Sequence, residues 1–237
     1  MLSIIIPTLN ETDYLSKLLT SIRKQDFESC EIIIADALSK DQTLTIARQY
    51  NCQIVEGGLP AKGRNEGART AKGELLLFLD ADVILPDSFF KKTLEEFEKR
   101  SLDLASFVLF FLPHKRLSQF FVNIFYNRFI VLSEKFLPHA AVGVLIKKDL
   151  FDKVGGFDEN IKLAEDHYLA RRAKKATNAR CGIIRSTKIF VSDRRFRQDG
   201  WLKTFLKYFL CELHLIFFGP VKSDIFKYRF GHYKNKN

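Results

Sequence analysis

The chain has 237 residues, 46% apolar and 28% charged, with four cysteines and a formal net charge of +10. That composition excludes an intrinsically disordered chain, a collagen-like repeat and a disulfide scaffold, and the length fits one α/β domain or two small ones. Residues 1–166 hold 21 basic and 24 acidic side chains whereas residues 167–237 hold 17 and 4, so a polyanionic partner (membrane phospholipid, a phosphorylated ligand or nucleic acid) is expected at the C-terminal third.

Residues 1–7 lack the basic segment and long apolar run of a signal peptide and lead into a buried strand over residues 3–6. A helix follows over 13–23, with Leu15, Leu18, Leu19 and Ile22 at helical spacing behind a cap at Asn10 or Thr12. A strand over 32–35, a helix over 43–49, a strand over 53–55, a helix over 65–71 and a strand over 74–79 continue the alternation. This rhythm predicts a mostly parallel sheet covered by helices on both faces, with ligands beyond the carboxyl ends of its strands. Further on come an apolar run over 104–112, an amphipathic helix over 117–136 carrying Phe121, Ile124, Phe125, Phe129 and Leu132, a strand over 141–146 and a helix over 165–174. A second amphipathic helix over 202–217 places Leu202, Phe205, Leu206, Phe209, Leu210, Leu213 and Ile216 on one face, and Lys203 and Lys207 on another. Lys and Arg interrupt every candidate stretch before it reaches the roughly 20 apolar residues of a membrane span. Cys30, Cys52, Cys181 and Cys211 lack disulfide-frame or metal spacing and read as the reduced thiols of a cytosolic protein.

Chemistry concentrates at the predicted strand ends. Asp80-Ala81-Asp82 puts two carboxylates one residue apart, a hard-oxygen pair suited to Mg²⁺ or Mn²⁺ and substrate phosphates. Alone, such a triplet also reads as a solvated turn. Pro7-Thr8-Leu9-Asn10-Glu11 follows the first strand, Asp36 with Ser39, Asp41 and Thr43 follows the second, and Lys62-Gly63-Arg64-Asn65 precedes the helix that leads into the Asp80 strand. Singly, Asn10 and Ser39 read as caps, Asp36 as a strand terminator and Arg64 as a solvated cation; together they make a binding edge. Asp166 opens the 165–174 helix beside Glu165, whose like charge tends to raise its pKa; complementation of the helix N-terminus is the plain alternative. Arg194-Arg195-Phe196-Arg197-Gln198-Asp199-Gly200-Trp201 is the densest basic-aromatic cluster. It reads as a loop closing over a diphosphate through Arg194 and Arg195, with Trp201 stacking on a sugar or anchoring the next helix, or else as a solvated or lipid-facing cluster. His114, His139, His167, His214 and His232 show no metal-ligand spacing, and His139 reads as a packing or capping residue. No Walker A loop and no GxGxxG follows a strand.

In order along residues 1–200 stand Ser3-Ile4-Ile5-Ile6-Pro7-Thr8-Leu9-Asn10-Glu11, Asp36-Ala37-Leu38-Ser39-Lys40-Asp41-Gln42-Thr43, Gly63-Arg64-Asn65-Glu66-Gly67, Leu79-Asp80-Ala81-Asp82, Gly155-Gly156-Phe157-Asp158-Glu159 and Glu165-Asp166. With these six motifs the sequence resembles the family 2 glycosyltransferases of the GT-A fold. The resemblance implies an α/β GT-A domain over 1–200, with a Rossmann-like nucleotide-binding half, followed by an amphipathic, basic C-terminal extension over 201–237. It also implies that Thr8, Glu11, Asp36 and Arg64 contact the nucleotide, with Pro7 and Asn10 in the same binding segment. Asp80 would meet the ribose or a metal, Asp82 the metal, Mn²⁺ or Mg²⁺, and Asp166 would be the catalytic base. Ala37-Leu38 stand where the family carries Gly after the first Asp of its second motif, which bears on the contact to the base.

The implied reaction is physically coherent. Breaking a sugar–phosphate bond develops negative charge on the leaving diphosphate, which a metal and arginines stabilise, while a carboxylate opposite takes the acceptor's proton. One direct displacement inverts the anomeric carbon. The two Phe/Leu-rich helices and the basic tail fit a cytoplasmic protein peripheral on the inner face of the cell membrane, acting on a hydroxyl or lipid-phosphate acceptor. A non-catalytic nucleotide-sugar or membrane-binding module on the same fold is the alternative. Nucleic acid is not expected as a partner, because the basic region is interleaved with aliphatic and Phe runs and not with a recognised reading motif.

Overall fold

The computed structural model describes residues 1–112, 119 and 122–226. β1 (Leu2–Thr8) is buried along its whole length and β2 (Cys30–Asp36) along most of it, as strands covered on both faces must be. β3 (Gln53–Glu56) lies outside β2, and β4 (Leu75–Leu79) lies on the other side of β1, all parallel. The crossovers are α1 (Thr12–Arg23), α2 (Thr43–Gln49) and α3 (Pro60–Thr70). The chain continues through β5 (Val83–Ile84), α4 (Phe89–Lys99), β6 (Leu104–Leu112) and a π-helical turn at Val122–Asn127 that runs into α5 (Arg128–Ser133). Then follow β7 (Gly143–Lys147), α6 (Lys148–Lys153), α7 (Glu165–Thr177), β8 (Cys181–Ser192), α8 (Arg194–Asp199) and α9 (Trp201–Phe217).

All eight strands form one sheet in the order β3-β2-β1-β4-β7-β6-β8-β5. The expected parallel alternation accounts for one half. In the other half β7 runs antiparallel to β4 and β6, β8 pairs parallel with β6, and β5 pairs antiparallel with β8. β8 is not announced by its own sequence: Arg185 and Ser186 are exposed in its middle, where the register against β6 slips between Phe107 and Val108. Such an irregularity breaks the period-2 pattern by which strands are read.

Alternation along β1 feeds two cores. Ile4 and Ile6 join Leu15, Leu18 and Leu19 of α1 and Phe89 and Phe90 of α4 on one face. Ile5 joins Ala68 of α3, Phe151 of α6 and Leu169 and Ala173 of α7 on the other. Each fully buried Leu, Ile or Phe contributes about 1.5–3 kcal/mol. Gly67 brings α3 down on β1, since a Cβ there would stand 2.4 Å from Ile5 Cγ2.

Several local expectations change. The helix expected over 65–71 is α3 from Pro60, the proline serving as its first residue, so Gly63, Arg64 and Asn65 stand within the helix and not ahead of it. Neither Asn10 nor Thr12 caps α1: Asn10 sits at φ 56° in the left-handed region, and the first turn is served from the next loop. Asp41 Oδ2 accepts from Thr12 N at 3.2 Å, Thr43 Oγ1 from Glu11 N at 2.8 Å and Ser39 Oγ from Asn10 N at 2.8 Å. The helix expected over 117–136 is helical over residues 122–133; residues 117, 118, 120 and 121 and the Phe125 side chain lie outside the described residues, as do His114 and His232. α9 forms as expected, yet it buries Thr204, Cys211 and Leu215 and turns its apolar face outward, with Leu202 80% and Phe217 73% exposed. Among the described residues no helix is long and apolar enough to cross a membrane, and the four cysteines are free.

Candidate active site

The carboxyl ends of β1, β2 and β4 bring three motifs to one edge. Thr8 and Asp36 are register partners, and Thr8 Oγ1 donates to Asp36 Oδ1 at 2.8 Å. Asp36 is buried and also accepts from Ser39 N at 2.8 Å and Ser39 Oγ at 2.6 Å. It therefore holds the loop as well as closing the strand. Within that loop, Leu38 takes φ 62° and is 75% exposed, which is how the chain turns without the family's glycine. Pro7 is buried in β1 beneath α3, and Asn10 Oδ1 accepts from Lys40 N at 2.9 Å.

Two guanidinium groups, Arg64 buried and Arg194 partly buried, organise the acids. Arg64 donates to Asp80 Oδ1 at 2.8 Å and to Glu165 Oε1, and lies 5.3 Å from the centre of the Phe157 ring. Burial alone would lower its pKa; Glu165, Asp80 and Asp166 outweigh that and raise it, so it is always a cation. Arg194 grips Glu11 in a two-pronged pair at 2.7 and 2.8 Å, reaches Asp82 Oδ2 with Nε at 3.1 Å and stacks 4.5 Å from the Tyr14 ring centre. Burial raises the pKa of both Glu11 and Asp82, and Arg194 opposes the rise. Asp80 and Asp82 offer the hard carboxylate oxygens that Mn²⁺ or Mg²⁺ takes, at a strand end where the Asp80 side chain is 40% exposed, so the donor set fits such a cation. Arg195 turns to the Tyr208 hydroxyl on α9. Trp201 packs against Phe196 and Phe111, with ring centres 4.7 and 5.3 Å apart, so it anchors α9.

Asp166 stands on the first turn of α7, held there by the preceding turn. Asn65 Nδ2 donates to Phe157 O at 2.9 Å and to Glu159 Oε1 at 2.8 Å, while its Oδ1 accepts from Phe157 N at 2.9 Å. Gly156, at φ 66°, passes so close that a Cβ would lie 2.7 Å from Asn65 Oδ1. The 63–67 and 155–159 motifs are thus two sides of one contact. Asp166 has its pKa raised to about 6, by burial first and by Glu165 beyond that, with His167 and Arg64 opposing. The direction matches the sequence expectation, but burial is the larger cause.

The family profile described as Glycosyl transferase family 2 matches residues 3–145. The chain belongs to glycosyl transferase family 2. Among its relatives, the poly(ribitol-phosphate) beta-N-acetylglucosaminyltransferase TarS of Staphylococcus aureus is 36% identical over 104 residues, 40% of this chain and 18% of TarS. The minor teichoic acid biosynthesis protein GgaB of Bacillus subtilis is 28% identical over 214 residues, 84% of this chain and 23% of GgaB. The chain therefore spans about a fifth of the length of these relatives. The crystal structure of S. aureus TarS 1-349 in complex with UDP-GlcNAc superposes with a TM-score of 0.64 at 25% identity, covering 81% of this chain and 58% of that one. The mannosyltransferase PcManGT from Pyrobaculum calidifontis, in complex with GDP-Man and Mn²⁺, gives 0.66 at 22% identity, covering 80% and 56%. The fold of this family 2 chain is accordingly GT-A.

Three features of this glycosyl transferase family 2 chain escape a sequence reading. Glu165 is the second acid on Arg64. Asp193 is buried and pairs with Arg197 Nε at 2.7 Å, fixing the start of α8. His139 and His167, without ligand spacing in sequence, meet with Nδ1 atoms 3.2 Å apart beside Glu212.

Proposed function

We propose that the chain is an inverting glycosyltransferase that moves a sugar from a nucleoside-diphosphate sugar to a membrane-borne hydroxyl or lipid-phosphate acceptor, with Mn²⁺ or Mg²⁺ on Asp80 and Asp82. The observation that carries this reading is the pair of arginines, each bridging one carboxylate of the Asp80-Ala81-Asp82 turn to a second acid, Arg64 to Glu165 and Arg194 to Glu11. Thr8, Glu11 and Asp36, with Pro7 and Asn10 in the same loops, would receive the nucleotide. When bound, the cation supplies positive charge to the departing diphosphate. Arg194 adds its own charge there, and Arg64 holds Asp80 and Glu165 in place. Asp166 would take the acceptor hydroxyl's proton as the new glycosidic bond forms and the bond to the diphosphate breaks, its raised pKa suiting a general base. With a lipid phosphate, whose oxygen is already ionised, Asp166 would matter less.

The test is a panel of UDP-, GDP- and dTDP-sugars with and without Mn²⁺, beginning with UDP-GlcNAc because TarS holds it in the crystal. At least one should raise the melting temperature and be consumed, and Asp82→Ala should abolish consumption. A panel in which none binds overturns the reading. Membrane contact rests on the outward face of α9, where Phe205, Leu206, Phe209 and Leu210 are about half exposed beside Lys203 and Lys207.

A further inference from the structure

We infer that His139, His167 and Glu212 form a second metal site, for Zn²⁺, that fastens α9 to the sheet-bearing body. The three residues come from separate segments: His139 precedes β7, His167 lies in the first turn of α7 and Glu212 lies on α9. One donor atom from each falls within 4.8 Å of the other two. His139 Nδ1 and His167 Nδ1 are 3.2 Å apart, and His167 Nδ1 is 3.3 Å from Glu212 Oε2. Ligands held 2.0–2.2 Å from a tetrahedral zinc stand about 3.4 Å from one another, so two edges of such a site are already in place.

Protons satisfy this arrangement poorly. Two imidazole nitrogens facing each other can share a single hydrogen, and that hydrogen cannot also serve Glu212. His139 is 4% exposed, and its Nε2 makes no hydrogen bond, standing 3.9 Å from Glu212 Oε1. A cation between the three donors replaces the shared proton. Two imidazoles and one carboxylate are a borderline donor set that favours zinc over Mg²⁺ or Mn²⁺, which sets the site apart from Asp80 and Asp82. Arg171 binds Glu212 Oε1 and leaves Oε2 facing His167, the outer support that ligating carboxylates have. The acids Asp166 and Glu212 both face His167, so the cation would enter a site where Arg171 is offset.

The packing shows what the metal would add. Along α9 only Thr204, Cys211 and Leu215 are buried; Trp201 anchors its start on Phe111 and Phe196, and its middle rests on Leu163, Cys211 and Val221 with Ala164, Tyr208 and Phe226 packed against them. A zinc bridging α9 to His139 and His167 would add metal bonds to that small apolar attachment.

The experiment uses the wild-type full chain, stripped with chelator and then given Zn²⁺ with Mg²⁺ in large excess to occupy Asp80 and Asp82. Metal analysis after gel filtration should find one zinc per chain, and Co²⁺ in its place should give the strong visible absorption of a four-coordinate site. Zinc in large excess over its dissociation constant should raise the melting temperature by about 5 °C or more, and slow amide exchange over 201–217. Adding His139→Ala, or the milder Glu212→Gln, should return zinc to background with circular dichroism unchanged. A parent that binds no zinc, or a folded Glu212→Gln or His139→Ala protein that binds as much as the parent, overturns the site and leaves a hydrogen-bonded histidine pair with an ion-paired glutamate.

Discussion

Arg64 shows how one side chain can carry both architecture and chemistry. It is 7% exposed, sits between Asp80 and Glu165, and lies over Phe157. Deleting one partner of a buried ion pair leaves the others uncompensated, so Arg64→Ala should cost about 3–5 kcal/mol in urea unfolding. Lysine should not restore it, because a point charge cannot serve two carboxylates with a planar fork. An Arg64→Ala protein of unchanged stability would show that the ladder is ornamental. Asp166 gives the complementary case. With a hydroxyl acceptor, Asp166→Asn should lower kcat by about 10²–10⁴ while leaving nucleotide-sugar affinity intact, which equilibrium binding beside steady-state rates will separate. A variant that keeps its kcat removes Asp166 from the chemistry.

At the scale of elements, the edge at the carboxyl ends of β1 and β2 is stabilised by a loop that serves the first turns of two helices. Asp41 accepts from Thr12 N at the start of α1 and, at 3.0 Å, from Thr43 N at the start of α2. Burial would raise its pKa, but the hydrogen bonds from Thr43 and Thr12 outweigh burial and lower it below 3.8. Asp41→Ala should therefore destabilise the protein by about 1 kcal/mol at neutral pH. The depressed pKa fixes the sign of the pH dependence: the contribution is complete above 3.8 and fades as pH falls through the lower, folded value, so wild type and variant should converge in acid. A gap that persists at low pH would assign the loss to packing. The cap on α1 was not legible locally, since Thr12 and Asp41 stand 29 positions apart, whereas the contact of Asp41 with Thr43 and α2 itself follow the spacing of neighbouring residues.

For the whole molecule, charge and apolar surface coincide at the C-terminal end. The excess of Lys and Arg follows residue 166, and α9 shows solvent its Phe and Leu face. Phe205→Glu with Phe209→Glu should abolish flotation with anionic liposomes at low salt, while nucleotide-sugar hydrolysis in solution persists. Wild-type protein that never floats at any salt would remove the membrane from the account.

The apolar period of residues 1–79 was sufficient to determine the parallel half of the sheet, because β1, β2 and β4 are buried along most of their length and the helices between the strands turn apolar residues to them. Residues 36–82, with aspartates at strand ends, marked Asp36, Arg64, Asp80 and Asp82 as one edge. Only the tertiary structure decided that β8 returns to pair with β6, that Glu165 and Glu11 complete the arginine ladders, and that His139, His167 and Glu212 converge. Local periodicity records which side of an element is buried. It carries no record of which distant side chain arrives there, and α9 shows the limit: its apolar face was legible, but whether that face meets the core or the solvent was set by what else the fold had already packed.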